Sequence, residues 1–129
     1  MRYGLRTLLI LATLGPPVLA GIWFYNGQLH ARRMRRAALV TGSHLKDAAS
    51  LYLLHLGANP PDLDALVLLP PGVNPLKWGG PYIEQPFLPN DPWNNAFQYE
   101  VVDGPRGKFR IWSSGPDGQS GTDDDVEVK

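Results

Sequence analysis

A run of 19 residues without a charge, Thr7 to Tyr25 (TLLILATLGPPVLAGIWFY), constrains this chain more than any other feature. At 1.5 Å per residue a helix of that length spans roughly 28 Å, close to the ~30 Å hydrocarbon core of a bilayer. Trp23 and Tyr25 stand where an interfacial aromatic belt falls. Three structures fit such a run. One is a membrane-spanning helix kinked at Pro16 and Pro17. Another is a secretory signal peptide, with Arg2 and Arg6 as its basic start and Val18-Leu19-Ala20 before the cut. The apolar run continues through Ile22, Trp23 and Phe24 past that cut, which weakens this option. The third is a buried helix of a soluble core, for which a charge-free stretch this long is unusual. The length match favours the first and sets an anchor over residues 1–28.

Charge is laid out unevenly along the chain. Residues 1–46 carry seven of the 12 basic residues (Arg2, Arg6, Arg32, Arg33, Arg35, Arg36, Lys46) and no acid, so all 12 acids fall after them. The part large enough to fold is therefore acidic, which argues against a nucleic-acid-binding body. Gly and Pro are frequent, at 14 and 13 residues, but they are scattered among Trp, Tyr, Phe and Leu, unlike a disordered chain. The absence of cysteine excludes disulfides, thiolate metal sites, Fe–S clusters and cysteine nucleophiles, and leaves the compartment open.

Residues 29–42 form a basic, helix-compatible juxtamembrane segment whose arginines suit lipid headgroups. Ser43–Leu56 reads as an amphipathic helix. Leu45, Ala48, Ala49, Tyr52 and Leu56 repeat at the spacing of one helix face. Gly57 suits the position after its end, and Pro60-Pro61 stops it from resuming. A continuous helix from the anchor to Leu56 would be a rod of roughly 75 Å. Asp62–Leu69 reads as one short helix with Asp62 as its N-cap. From Pro70 to Asn95 the chain is dense in Pro, Gly, Asn and aromatics, a long connection ordered by its own side chains, with Trp78, Tyr82, Phe87 and Trp93 as the pins. Phe97–Val102 and Lys108–Ser113 alternate as strands and pair across Asp103–Gly107 as an antiparallel hairpin. Residues 43–129 thus make up one head domain.

The stretch from Ser113 to Asp125 (SSGPDGQSGTDDD) stands out chemically. It carries Asp117, Asp123, Asp124 and Asp125 on a loop punctuated by Gly115, Gly118 and Gly121, directly after a strand. Adjacent carboxylates repel one another unless a cation compensates. Calcium suits the chemistry, because it takes 6–8 oxygens from carboxylates and loop carbonyls in flexible geometry. Magnesium suits it less, and the spacing is not that of an EF-hand. The competing reading is a solvated acidic tail with a turn. Enzyme constellations are weak. His44 and His55 are eleven residues apart, roughly 16 Å along a helix and too far for one metal. Neither a nucleophile elbow, a phosphate-binding loop nor a dinucleotide fingerprint is present, and Asp91 with Asp117 is only one of many carboxylate pairs.

Leu88-Pro89-Asn90-Asp91-Pro92-Trp93-Asn94-Asn95-Ala96-Phe97-Gln98-Tyr99 resembles the LP-x-DPWGNPYxY signature of the major pseudopilin of type II secretion, general secretion pathway protein G. Asp64-Ala65-Leu66-Val67 is similar to that family's LEALV helix, and Trp78-Gly79-Gly80-Pro81-Tyr82-Ile83 to its W-x-GPYL segment. Lys108 through Asp125 resembles its hairpin strand and metal loop. The resemblance covers residues 43–129.

It implies an α+β fold in which an N-terminal transmembrane helix continues into a long amphipathic helix packed on a small antiparallel sheet, with a long ordered loop. It also implies a stabilising Ca2+ held by Asp117, Asp123 and Asp125, with Asp124 as an alternative to either neighbour, and by loop carbonyls such as those of Ser114 and Gln119. The implied protein is a non-enzymatic, membrane-anchored subunit of the secretion system, without nucleic acid or small-molecule substrate. It assembles with other pseudopilins and the inner-membrane platform. Read alone, the positive-inside count, with four arginines soon after the span, would place the head in the cytoplasm, but the calcium argument outweighs it. A weak calcium site would fill only outside, which places the head in the periplasm. At the N-terminus, Gly4-Leu5-Arg6-Thr7-Leu8-Leu9 departs from the family's Gly followed by an F-T-L-I-E-L type segment, with Leu9 in place of the glutamate. That departure favours an alternative, a monomeric anchored binding module that reuses the head without forming a filament.

Overall fold

The computed structural model describes residues 5–129, with side chains from Gly15 onward. Arg2 and Gly4 lie outside that description, as do the side chains of Arg6 and Leu9. Helix α1 runs over Leu5–Leu56, 52 residues, and Pro16 and Pro17 lie within it. A 3₁₀ turn follows at Leu63–Leu66, then strands β1 (Gln98–Val101), β2 (Phe109–Ser113) and β3 (Val126–Glu127). By internal packing the chain divides into two units, Met1–Arg33 and Met34–Lys129.

Among its described residues the first unit is helix alone, and its apolar side chains Leu19, Trp23, Phe24 and Tyr25 are exposed. Among the described residues no helix is long and apolar enough to cross a membrane. The apolar run up to Leu14 lies outside the described side chains, so the expected span is described only in its second half.

The second unit holds the core. The helix face read from the sequence is the buried one: Leu45, Ala48, Ala49 and Tyr52 are at most 3% exposed, and Leu56 packs against them. Leu63, Ala65, Leu66, Phe97, Ile111 and Val128 close over that face. Helix periodicity of 3.6 makes such a stripe, and its burial rather than intrinsic propensity holds this end of the helix. Gly42 lies where α1 meets the C-terminal segment. A Cβ there would overlap Val128 Cγ2 and stand 3.3 Å from Phe97 Cε1, so only glycine permits this approach.

The expected short helix is smaller than Asp62–Leu69. Asp62 does cap it, Oδ1 accepting from Ala65 N at 3.0 Å, but one 3₁₀ turn suffices. Leu68 and Leu69 are exposed, and Pro70-Pro71 prevents continuation. Of the four aromatic pins, Trp78 and Tyr82 act as read. Trp78 Nε1 donates to Ala65 O at 3.3 Å and Tyr82 N to Leu66 O at 2.7 Å, while the Tyr82 ring packs on Tyr52 and His55. Phe87 is 63% exposed and pins nothing, because it sits on the outer side of the connection.

The hairpin forms in the expected register range, with Tyr99 opposite Ile111 and Val101 opposite Phe109. Strand β3 adds to the far edge of β2, giving the order β1-β2-β3, antiparallel throughout. Period-two alternation turns Ile111 and Ser113 into the core and Arg110 and Trp112 outward. On the outer face Arg110 bridges Glu127 at 3.0 Å and Glu100 at 3.6 Å and stacks 5.1 Å from the Trp112 ring centroid. At 46–55% side-chain exposure these pairs contribute little to stability. The chain leaving α1 is tied to the hairpin by Asn59 Nδ2 donating to Gly107 O (2.9 Å) and Tyr99 Oη donating to Pro60 O (2.8 Å).

Candidate metal loop and its Asp91 staple

The acidic loop leaves β2 at Ser113 and re-enters the sheet at Val126. Its ends cross. Gly115 adopts φ +69°, and a Cβ there would overlap the carbonyl oxygen of Asp124 and lie 2.9 Å from its carbon. Only a residue without a side chain lets the strands of the loop approach so closely in that backbone region. Within the loop Asp117 Oδ1 accepts from Gln119 N at 2.9 Å, and Asp125 Oδ2 accepts from Gly121 N at 2.7 Å. Thr122 Oγ1 donates to Gln119 O at 3.1 Å, and Trp112 Nε1 donates to Ser120 Oγ at 2.7 Å, fastening the loop to the outer face of β2.

Every residue read as a candidate ligand lies on this loop. Ser114 is buried at its base. Asp117, Gln119, Asp123 and Asp124 are exposed, and Asp125 is half-buried. The loop does not draw their carboxylates to one point: among the described residues no three His, Asp or Glu side chains gather closely enough to hold a metal ion. Like charges in a row repel, and Asp117 and Asp125 turn onto backbone N–H groups of the loop. The donor set nevertheless fits a hard cation. It is oxygen only, it carries four carboxylates, and it lies on a closed loop whose ends meet at Gly115 and Asp124.

The residue that sequence reasoning missed is Asp91. In the sequence it is one acid among many, yet it is 4% exposed and its carboxylate takes three hydrogen bonds. Oδ1 accepts from Trp93 N at 3.1 Å and Asn95 N at 2.7 Å, closing the turn in which Asn94 takes φ 66°. Oδ2 accepts from Ser113 Oγ at 2.5 Å, and Ser113 Oγ in turn accepts from Gly115 N at 3.1 Å. The Asp-Pro step before an Asn pair is the sequence signal that could have shown it, since aspartate side chains commonly bond backbone two residues on. Neither His44 nor His55 shares this site. His55 Nδ1 instead meets Tyr82 Oη at 3.1 Å, and that oxygen also accepts from Gly79 N at 3.1 Å.

Two phenols in the core have perturbed acidity. Burial pushes the Tyr99 hydroxyl up to about 12, with Tyr52 and Asp62 adding to the effect. Burial also raises Tyr52, followed by the influence of Tyr82 and Asp62.

A long helix with one buried face, an aromatic strap across its end and a three-stranded antiparallel sheet bearing a glycine-punctuated acidic loop define an α+β head of the pseudopilin type. A family model described as "Type II secretion system (T2SS), protein G" matches residues 27–129, and the chain belongs to that family. It is 41% identical over 88 residues to the type II secretion system core protein G of Aeromonas hydrophila, covering 64% of this chain and 59% of that protein. To the core protein G of Escherichia coli K12 it is 39% identical over 89 residues, covering 64% and 58%. The chain thus spans about three fifths of the length of the curated relatives it matches. Its fold is similar to the crystal structure of the major pseudopilin from the type 2 secretion system of enterohaemorrhagic Escherichia coli. That match has a TM-score of 0.62 and 29% identity, and covers 78% of this chain and 86% of that one.

Proposed function

We propose that this chain is a non-enzymatic structural subunit of a type II secretion pseudopilus. The anchor over residues 1–28 would hold it in the inner membrane, the basic segment 29–42 would meet lipid headgroups, and the head 43–129 would lie on the periplasmic side. The observation that carries this reading is the family match over residues 27–129, joined to a head built as the pseudopilin head is built. Partners of this kind are further pseudopilins and the membrane platform of the secretion system. Crosslinking in the native membrane tests assembly. A ladder of multimers is expected, and monomer alone would replace this reading with that of an anchored module working singly.

The head is further proposed to take Ca2+ on the acidic loop. Asp117, Asp123, Asp124 and Asp125 would offer carboxylates, and Ser114 and Gln119 backbone carbonyls. When bound, the ion supplies the positive charge that offsets the mutual repulsion of the four aspartates. The chain's own contribution is the closed loop, set by Gly115 and by the hydrogen bond from Trp112 to Ser120. Extracellular sites bind at about 10⁻⁴–10⁻³ M. At about 10 mM calcium such affinity adds roughly 1.4–2.7 kcal/mol of stability, so the melting temperature should rise by several degrees over a chelator control. The rise should vanish in Asp117→Ala, and an equal melting curve in both conditions would remove calcium from the proposal.

A further inference from the structure

We infer that Asp91 is a positioning residue for the acidic loop, acting through Ser113. For its cation arm the inference rests on the calcium reading above, and for its conformational arm it stands alone. The carboxylate is 4% exposed and lies 22 positions before its partner, in the turn that precedes β1. Its Oδ1 is spent on that turn, through Trp93 N and Asn95 N. Its Oδ2 has a different use. Ser113 donates its hydroxyl proton to Oδ2, which leaves the Ser113 oxygen free to accept from Gly115 N. The relay therefore runs one way, from the Gly115 N–H through the serine oxygen to the carboxylate. A hydroxyl that donates to an anion becomes a better acceptor, so the charge on Asp91 strengthens the bond at Gly115.

Gly115 is the place where this matters. It is the residue at which the loop's outgoing and returning strands touch, through Asp124. Ser113 and Ser114 are at most 3% exposed and Gly115 is buried, so water does not substitute readily for a lost partner. Fixing the Gly115 amide fixes the crossing point, and with it the separation of Asp117 from Asp123, Asp124 and Asp125. The turn before β1 and the loop after β2 are distant in sequence, and one buried carboxylate links them.

Ser113→Ala separates the two uses of Asp91, because it removes the middle of the relay and leaves the bonds to Trp93 and Asn95 in place. Hydrogen exchange of the full chain in detergent, without calcium, is the first readout. Amides from Gly115 to Asp125 should exchange about tenfold faster in Ser113→Ala, the effect of losing one buried hydrogen bond, while protection in α1, β1 and the first residues of β2 is kept. Ser113→Thr retains the hydroxyl and should restore slow exchange. Asp91→Asn keeps the Oδ1 acceptor and loses the anion, and should loosen the same amides, so it serves as the second variant if alanine at 113 misfolds. Unchanged loop exchange in both variants overturns the inference. So does a uniform loss of protection over helix, sheet and loop alike, which would make the group merely structural. Calcium titration followed by calorimetry is the second readout, with half-saturation raised severalfold in Ser113→Ala. If the wild-type chain takes up no calcium, the cation reading falls, and the exchange comparison still decides the role of Asp91.

Discussion

Substituting Gly42 by alanine puts the packing of α1 against the C-terminal segment to a direct test. In an exposed helix interior the change stabilises by up to about 1 kcal/mol, because glycine is the poorer helix former. Here the sign should reverse. The added methyl would fall roughly 1 Å or more inside the ~3.5–4.0 Å optimum for carbon pairs at Val128 Cγ2, with Phe97 Cε1 at 3.3 Å on the other side. Val128 is β-branched and 7% exposed, so it has little freedom to swing away. Overpacking of this kind costs about 1–3 kcal/mol. With the full helix gain subtracted, a net loss of up to about 2 kcal/mol remains. For a folded unit the size of residues 34–129 that is a fall in Tm of up to roughly 15 °C. Thermal unfolding by circular dichroism measures it, and Val128→Ala placed in the Gly42→Ala background should recover part of the loss. A Tm equal to or above that of the wild-type chain, or strict additivity of the two changes, would refute the close approach of helix and strand.

Tyr99→Phe removes the hydrogen bond to Pro60 O and should destabilise by about 1 kcal/mol in chemical denaturation. Its phenol, raised to about 12, keeps its proton in the folded chain where an unfolded tyrosine has already lost one. Stability is therefore fully present below pH 10 and falls as the pH rises from 10 toward 12, a loss that unfolding curves at those pH values should show and that Tyr99→Phe should reduce. Asp91→Ala leaves Trp93 N, Asn95 N and the Ser113 hydroxyl without their acceptor, and should cost about 3 kcal/mol or more, measured as a lower denaturant midpoint. Trp112→Phe removes the bond to Ser120 and weakens only an exposed stacking contact with Arg110, so it should speed exchange of loop amides near Ser120 while leaving the midpoint nearly unchanged.

The parts of this fold that follow from short-range periodicity were readable in the chain. The stripe Leu45, Ala48, Ala49, Tyr52, Leu56 repeats at helix spacing, and the hairpin strands alternate around an Asp-Gly-Pro-Arg-Gly turn, so each carries its own signal. Strand β3 carried none. Two residues, Val126 and Glu127, cannot display a period, and they become a strand only because β2 has an unpaired edge beside them. Asp62 announced a helix start correctly, but the length of what followed was decided by Pro70-Pro71 and by how little apolar surface remained to cover. In the acidic loop, composition indicated the donors and not their arrangement, since the directions of four neighbouring carboxylates depend on backbone N–H groups that a sequence does not locate. Asp91 was illegible for a related reason. Its importance comes from Ser113, a residue 22 positions away that reaches it only after the sheet has formed.

The contact between Gly42 and Val128 bears on how the chain is made. The apolar helix face leaves the ribosome early, and the segment that seals it comes only after nearly the whole head has been translated. At about 5–20 residues per second that interval lasts several seconds. Throughout it the stripe from Leu45 to Tyr52 has only the partial cover that Leu63, Ala65, Leu66, Phe97 and Ile111 can supply. Val128 is thus the last piece of a cover whose earlier parts, from Leu63 to Ile111, precede it along the chain.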